Sequence, residues 1–239
     1  SEHIRGTYFC PVPYRMMSAY QDHFLAQLDG LAANEPKALS ALGDAVLVSG
    51  YSMTVLDGET SPSSGSEHII SHFFDFQHKV FNLPKNLHGT QVGLGTLIMS
   101  AAFDILREME PSDFDIDDME RRRLSQTAIN LDHRRVFGSY GKKFDRVTST
   151  KRISDVDYRK YISLILRNWE EIWKDVGVYL MPMTELQKSM EKAGGVTKLS
   201  EVNRSEEDAV QALLYGSHYR PRYTILDLYW ELGLFPEYA

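Results

Sequence analysis

The chain has 239 residues, 43% of them apolar and 25% charged, and a formal net charge of −7. That length can bury a sizeable core in one large domain. The acidic balance argues against a generic nucleic-acid surface. No apolar run approaches the length of a membrane span, and the N-terminal SEHIRGTYFCPVP has no signal-peptide core. Cys10 is the single cysteine, so there is no disulfide framework; a reducing cytoplasm is expected, and Cys10 reads as a packed thiol rather than a nucleophile.

In chain order, residues 1–12 read as the truncated lead-in of something longer. From Pro13, apolar residues at Met16, Met17, Tyr20, Phe24, Leu25 and Leu28 have helical spacing, and Gly30 can end the helix. Asn34-Glu35-Pro36 opens a second helix, which Gly50 ends; Ala45–Leu56 is ambiguous between helix and strand. A polar loop, Leu56–Ser63, leads to the central stretch, Ser61–Thr96, which holds four of the eight histidines. There, Ser64 followed by Glu67 predicts a capping box and a helix start. A long apolar helix follows His88 and stops at Pro111. Gly89, Gly93 and Gly95 in its first turns cost roughly 1 kcal/mol each relative to Ala, which the close approach of another backbone or a ligand would justify. Asp113–Glu120 with Arg121–Arg123 reads as a solvated helix start. Arg134–Thr150 reads as a loop or a short connecting helix. Asp155–Trp173 is predicted as one helix with Tyr158, Tyr161, Ile162, Ile165, Trp169 and Trp173 on its buried stripe. Further helices are expected from Pro182 to Gly194-Gly195, over Glu206–Tyr215, and from Thr224 or Asp227 to Leu234. The expected class is all-α, a single helical domain over 1–239.

The chemistry concentrates in the central stretch. His68 and His72 fall four residues apart on one helix face, and His88 begins the next helix beyond the break at Asn82–Pro84. Two imidazoles at two helix starts can hold one metal, given a third ligand and an open position. Asp22, Asp57, Glu59 and Asp75 are all available as that ligand, and spacing selects none. His72 fits a supporting or substrate-contacting role better than a ligand's, and His78 reads as a structural residue. A His-Asp dipeptide, which an all-helical metal phosphohydrolase needs, does not occur; Asp22-His23 and Asp132-His133 run in reverse order. Walker, GxGxxG and GxSxG turns are not found. Arg220 and Arg222, flanking Pro221, can clamp a phosphate, with interhelix salt bridges as the competing reading.

Four segments in this order carry a resemblance: SGYSM (49–53), SSGSEHIISHFFD (63–75), LHGTQVGLGTL (87–97) and RYTILDLYWELG (222–233). Together they resemble the sn-glycerol-1-phosphate dehydrogenase family, within the superfamily of iron-type alcohol dehydrogenases, glycerol dehydrogenases and dehydroquinate synthases. The resemblance covers most of residues 6–235 and is to the C-terminal half, an all-helical metal-binding domain. It implies that the nucleotide-binding α/β domain of such enzymes is absent from this chain. It implies that His68 and His88 are metal ligands, that His72 faces the cleft as a catalytic group, and that a third ligand, an aspartate, falls before Ser1; Asp22 does not match it.

The implied cofactors are a divalent metal, with zinc ahead of nickel and iron, and NAD(P) bound mainly by the absent domain. The implied reaction interconverts dihydroxyacetone phosphate and sn-glycerol 1-phosphate, with Arg220 and Arg222 as substrate-binding candidates, in cytoplasmic phospholipid metabolism. This chain alone is expected to be inactive and to bind metal weakly. The expected partner is a small phosphorylated substrate; a homo-oligomer is possible. One alternative is a non-catalytic helical module for ligand binding or assembly. Another is a sugar-phosphate cyclase or lyase of the same superfamily, from whose GHTxGH motif Gly65-Ser66-Glu67-His68 departs.

Overall fold

A computed structural model describes residues 5, 6, 8–57 and 60–235. Among them the regular structure is helical, with no strand. The α-helices are α1 (Pro11–Leu25), α2 (Leu28–Ala32), α3 (Pro36–Thr54), α4 (Ser66–Phe81), α5 (His88–Glu108), α6 (Ile116–Arg122), α7 (Gln126–Phe137), α8 (Gly141–Lys151), α9 (Asp155–Arg167), α10 (Trp169–Gly177), α11 (Met183–Lys192), α12 (Glu206–Tyr219) and α13 (Ile225–Glu231). The all-α expectation is borne out.

Several boundaries differ from those expected. The Met16–Leu28 pattern is split between α1 and α2, and Gly30 lies buried inside α2 rather than ending a helix. The Ala45–Leu56 ambiguity resolves as helix, because α3 runs through Gly50 to Thr54. Arg134–Thr150 is helical over most of its length, with only the turn Gly138–Tyr140 between α7 and α8. Asp155–Trp173 breaks at Asn168, whose amide donates back to Leu164 and Ile165, so two helices replace one. The last long helix, α12, continues to Tyr219 and delivers His218 and Arg220 to its end.

The core forms around α4, which buries Ile69, Ile70, Phe73, Phe74 and Phe76 on one face. Spacings of three and four explain why these residues share that face. Helices α5 and α12 flank it, and an aromatic group closes one end, with Phe137 stacked on Phe144 at 4.3 Å. Against the expectation that no apolar run approaches a span, helix α5 is long and apolar enough, by length and composition, to cross a membrane. Here Leu94, Leu97, Met99, Ala102 and Leu106 are buried against the rest of the chain. Helix α3 differs, for Leu39, Leu42, Val46, Leu47 and Tyr51 project outward at helical spacing. Its inner side matters to the site: Ser49 and Ser63 share a hydroxyl hydrogen bond of 2.9 Å, and Ser63 also donates to the Ser49 carbonyl. The SGYSM segment therefore anchors the turn Ser61–Ser63 that feeds α4.

Candidate metal centre

Helix α4 starts one residue later than the capping pattern predicts. Gly65 is the N-cap, and Ser64 makes no capping bond with its side chain. Half of the predicted box forms all the same, because Glu67 Oε1 accepts the Gly65 amide at 2.7 Å. The same oxygen meets His68 Nδ1 at 2.7 Å. An ionised carboxylate only accepts, so it fixes the proton on Nδ1 and leaves the Nε2 lone pair of His68 available.

Helix α5 begins at His88 itself, after an extended Leu87. This places three imidazoles together. Ring centroids are 5.3 Å apart for His68 and His88, 5.7 Å for His72 and His88, and 6.3 Å for His68 and His72. The close packing behind them depends on Gly95: a Cβ there would lie 2.5 Å from the Glu67 carbonyl oxygen. The glycine cost read from the sequence thus has its reason at Gly95, a backbone approach. Gly93 faces the Met190 side chain, whereas a Cβ at Gly89 meets nothing.

Ser71 and Gln91 complete the support. Ser71, fully buried, places its hydroxyl 3.1 Å from His88 Nδ1 and donates to Gln91 Oε1 at 3.0 Å. In that arrangement His88 Nδ1–H donates to the serine, and Nε2 is free. With the Gln91 amide reversed, its nitrogen reaches Asp75 Oδ1 at 3.2 Å and Ser71 Oγ at 3.0 Å. The serine proton then turns to His88 Nδ1 and moves the imidazole hydrogen to Nε2. The donors and acceptors around Gln91 favour the reversed amide; a metal on His88 Nε2 would call for the first arrangement instead. Sequence reasoning missed Ser71 and Gln91. Each follows a candidate ligand by three residues, on the same helix face, which is the signal that could have found them.

The basicity of His72 is pushed below the ordinary imidazole value, first by burial and then by the Arg220 guanidinium and its two neighbouring imidazoles; Asp75 opposes the shift. Arg220, exposed at the end of α12, is therefore brought to the cluster. Arg222 instead donates to Thr60 Oγ1 at 3.1 Å. His78 is structural as expected, with Nδ1 2.6 Å from the Leu83 carbonyl. Of the open third-ligand candidates, Asp75 lies nearest the cluster, Asp22 and Asp57 are exposed, and Glu59 lies outside the described residues.

The donor chemistry fits a divalent metal such as zinc: neutral imidazoles, one backed by a carboxylate and one by a hydroxyl. Among the described residues, no group of three or more His, Cys, Asp or Glu donors stands in ligating geometry.

No protein-family model matches the chain. It is similar to glycerol-1-phosphate dehydrogenases [NAD(P)+]: 22% identical over 233 residues to that of Bacillus licheniformis, covering 98% of this chain and 45% of the relative. It is 30% identical over 95 residues to that of Halalkalibacterium halodurans, covering 40% of this chain and 24% of the relative. A 55-residue region is 46% identical to the Methanococcus aeolicus protein, covering 23% of this chain and 16% of that one. The resemblance read from the four motifs is borne out, and the chain spans less than half the length of these relatives.

Proposed function

We propose, from this similarity to glycerol-1-phosphate dehydrogenases, that the chain is the metal- and substrate-binding part of an NAD(P)-dependent oxidoreductase interconverting dihydroxyacetone phosphate and sn-glycerol 1-phosphate. The observation that carries the reading is the convergence of His68, His72 and His88 from two helix starts, with ring centroids 5.3–6.3 Å apart. A nucleotide cofactor would be held by the part of such enzymes that lies outside this chain.

His68 and His88 would hold the metal, with Glu67 and Ser71 orienting each ring. A divalent ion held there would supply Lewis-acid polarisation of a carbonyl oxygen. His72, kept neutral by burial and by Arg220, can accept or return a proton at a substrate hydroxyl. Arg220 offers an exposed cation beside it for the substrate phosphate; Arg222, whose guanidinium donates to Thr60, is the second candidate for that role.

The test is turnover of dihydroxyacetone phosphate with NADH or NADPH by the chain joined to the remainder that its relatives possess. Activity is expected, with His68→Ala abolishing it. Unchanged turnover in His68→Ala would remove His68 from the site.

A further inference from the structure

Away from the three clustered histidines, a cavity of about 120 Å³ is formed by α6, α7, α8, α9, the end of α12, and α13. Four cations (Arg122, Arg123, Lys151, Arg152) and two carboxylates (Asp227, Glu231) face it. Both carboxylates are matched within the fold. Asp227 pairs with Lys151 at 2.6 Å, each side chain only 9% exposed. Glu231 pairs with Arg5 at 2.7 Å and accepts from the Tyr223 and Tyr161 hydroxyls at 2.6 and 2.8 Å.

The arginines are not matched in the same way. Arg122 pairs with Asp118. Arg123 and Arg152, 14% and 16% exposed, both rest on one oxygen of Asp155, a side chain 76% exposed. Their hydrogen bonds otherwise go to the carbonyls of Leu124 and Ile153, which carry no charge, and the Arg123 guanidinium lies over the Tyr158 ring at 4.2 Å. The neighbouring Arg152 charge adds to burial in weakening Arg123 as a base. One solvent-facing carboxylate thus serves two largely buried guanidiniums, beside a wall of Met119, Leu124, Ile129, Trp230 and Phe235.

We propose that this cavity binds a small organic monoanion, a compact apolar body bearing one carboxylate, with the carboxylate between Arg123 and Arg152 and the body against Trp230 and Phe235. The charge left uncompensated is about one unit, which suits a carboxylate. Planar guanidiniums bind that group through paired N–H donors. The cavity, about 120 Å³, is somewhat smaller than the roughly 150 Å³ that accepts benzene, but it is open to solvent on one side, so a small body can seat there with its carboxylate toward the mouth. A strongly hydrated dianion such as phosphate would carry more charge than the site leaves uncompensated and has no apolar body to set against the wall.

Benzoate is the probe, with benzyl alcohol as its uncharged counterpart and inorganic phosphate as the anion without an apolar body. Titration of the full chain is read by the Trp230 indole N–H resonance and by thermal unfolding. The expected result is a saturable benzoate response that benzyl alcohol and phosphate do not reproduce. Arg152→Gln is expected to weaken it at least about tenfold, since a charge-assisted hydrogen bond is lost. Ile129→Trp, which fills the cavity and leaves every charge in place, is expected to abolish it. No saturable benzoate response overturns the proposal, as does equal binding of benzyl alcohol or of phosphate, or unchanged affinity in Arg152→Gln. If Arg152→Gln does not fold, Ile129→Trp decides, and retained affinity there overturns it. The readouts use neither metal nor nucleotide, so the result stands apart from the dehydrogenase reading.

Discussion

Residue 95 has room for hydrogen alone because the backbone carbonyl of Glu67 occupies the place of its side chain, 2.5 Å from where a Cβ would stand. This contact sets the spacing of α4 and α5 at the turn that carries both His68 and its carboxylate partner. The obstacle is main chain rather than a movable side chain, so Gly95→Ala must push the helices apart. Overpacking of this kind costs about 1–3 kcal/mol. Denaturant unfolding should show a lower midpoint, and His68 and His88 should lose metal affinity together.

Glu67 and Ser71 orient the two candidate ligand rings. Loss of such outer partners typically weakens metal binding about 10- to 100-fold. Glu67→Gln and Ser71→Ala are each expected to fall in that range by chelator competition with zinc. His78→Gln, on the same helix but bonded only to Leu83, should leave zinc affinity unchanged.

The Lys151–Asp227 pair is deeply buried, and Asp227 also accepts the Thr224 amide that begins α13. Burial raises the Asp227 carboxyl above its ordinary range despite the lysine. Removing the lysine alone leaves that carboxylate without a counter-charge, a loss of about 3–5 kcal/mol. Urea unfolding of Lys151→Met should show this, and Lys151→Met with Asp227→Asn should recover a large part of it.

Stability should fall on mild acidification. His72, His133 and His218 are all held below the ordinary imidazole value of 6.5, in each case mainly by burial. His133 Nδ1 meets Asp145 at 2.9 Å and its Nε2 meets His218 Nδ1 at 3.0 Å. That second bond needs one donor and one acceptor, so protonating both rings breaks it. The unfolded chain takes up protons near pH 6.5 and the native one does not. Stability is therefore complete above 6.5 and declines below it, by up to about 1.4 kcal/mol per pH unit for each histidine. Asp227 and Glu231, raised by burial, act in the opposite sense, starting from the ordinary carboxylate values of 3.8 and 4.5. Urea midpoints at neutral and mildly acidic pH should differ accordingly, and His133→Gln should flatten the slope.

Much of this was legible in the residues because helical periodicity is local. The stripe on Asp155–Trp173 and the pairing of His68 with His72 follow from spacing alone. The break at Asn168 did not, because it depends on which carbonyl one amide chooses. Arg134–Thr150 was harder still. Its charges and glycines mark a loop, yet Phe137 and Phe144 stack and make it core. The Asp145–His133–His218 chain joins residues 85 positions apart, a distance no local pattern reports. At the histidine cluster the candidate pair was visible and the residues behind it were not, since Ser71 and Gln91 look like ordinary helix residues until α5 is laid against α4.

Lys151 also has a mechanical side. Its amine donates to the carbonyls of Ser217 and Arg222, and so grips the chain on both sides of Arg220. The backbone under that arginine is pinned at two points while its exposed guanidinium lies over the Tyr219 ring at 5.6 Å. Arg220 is then a crane arm on a fixed post, and its reach is decided by the number of its methylenes and not by loop travel. Substrate length, as well as charge, would be gauged from that post.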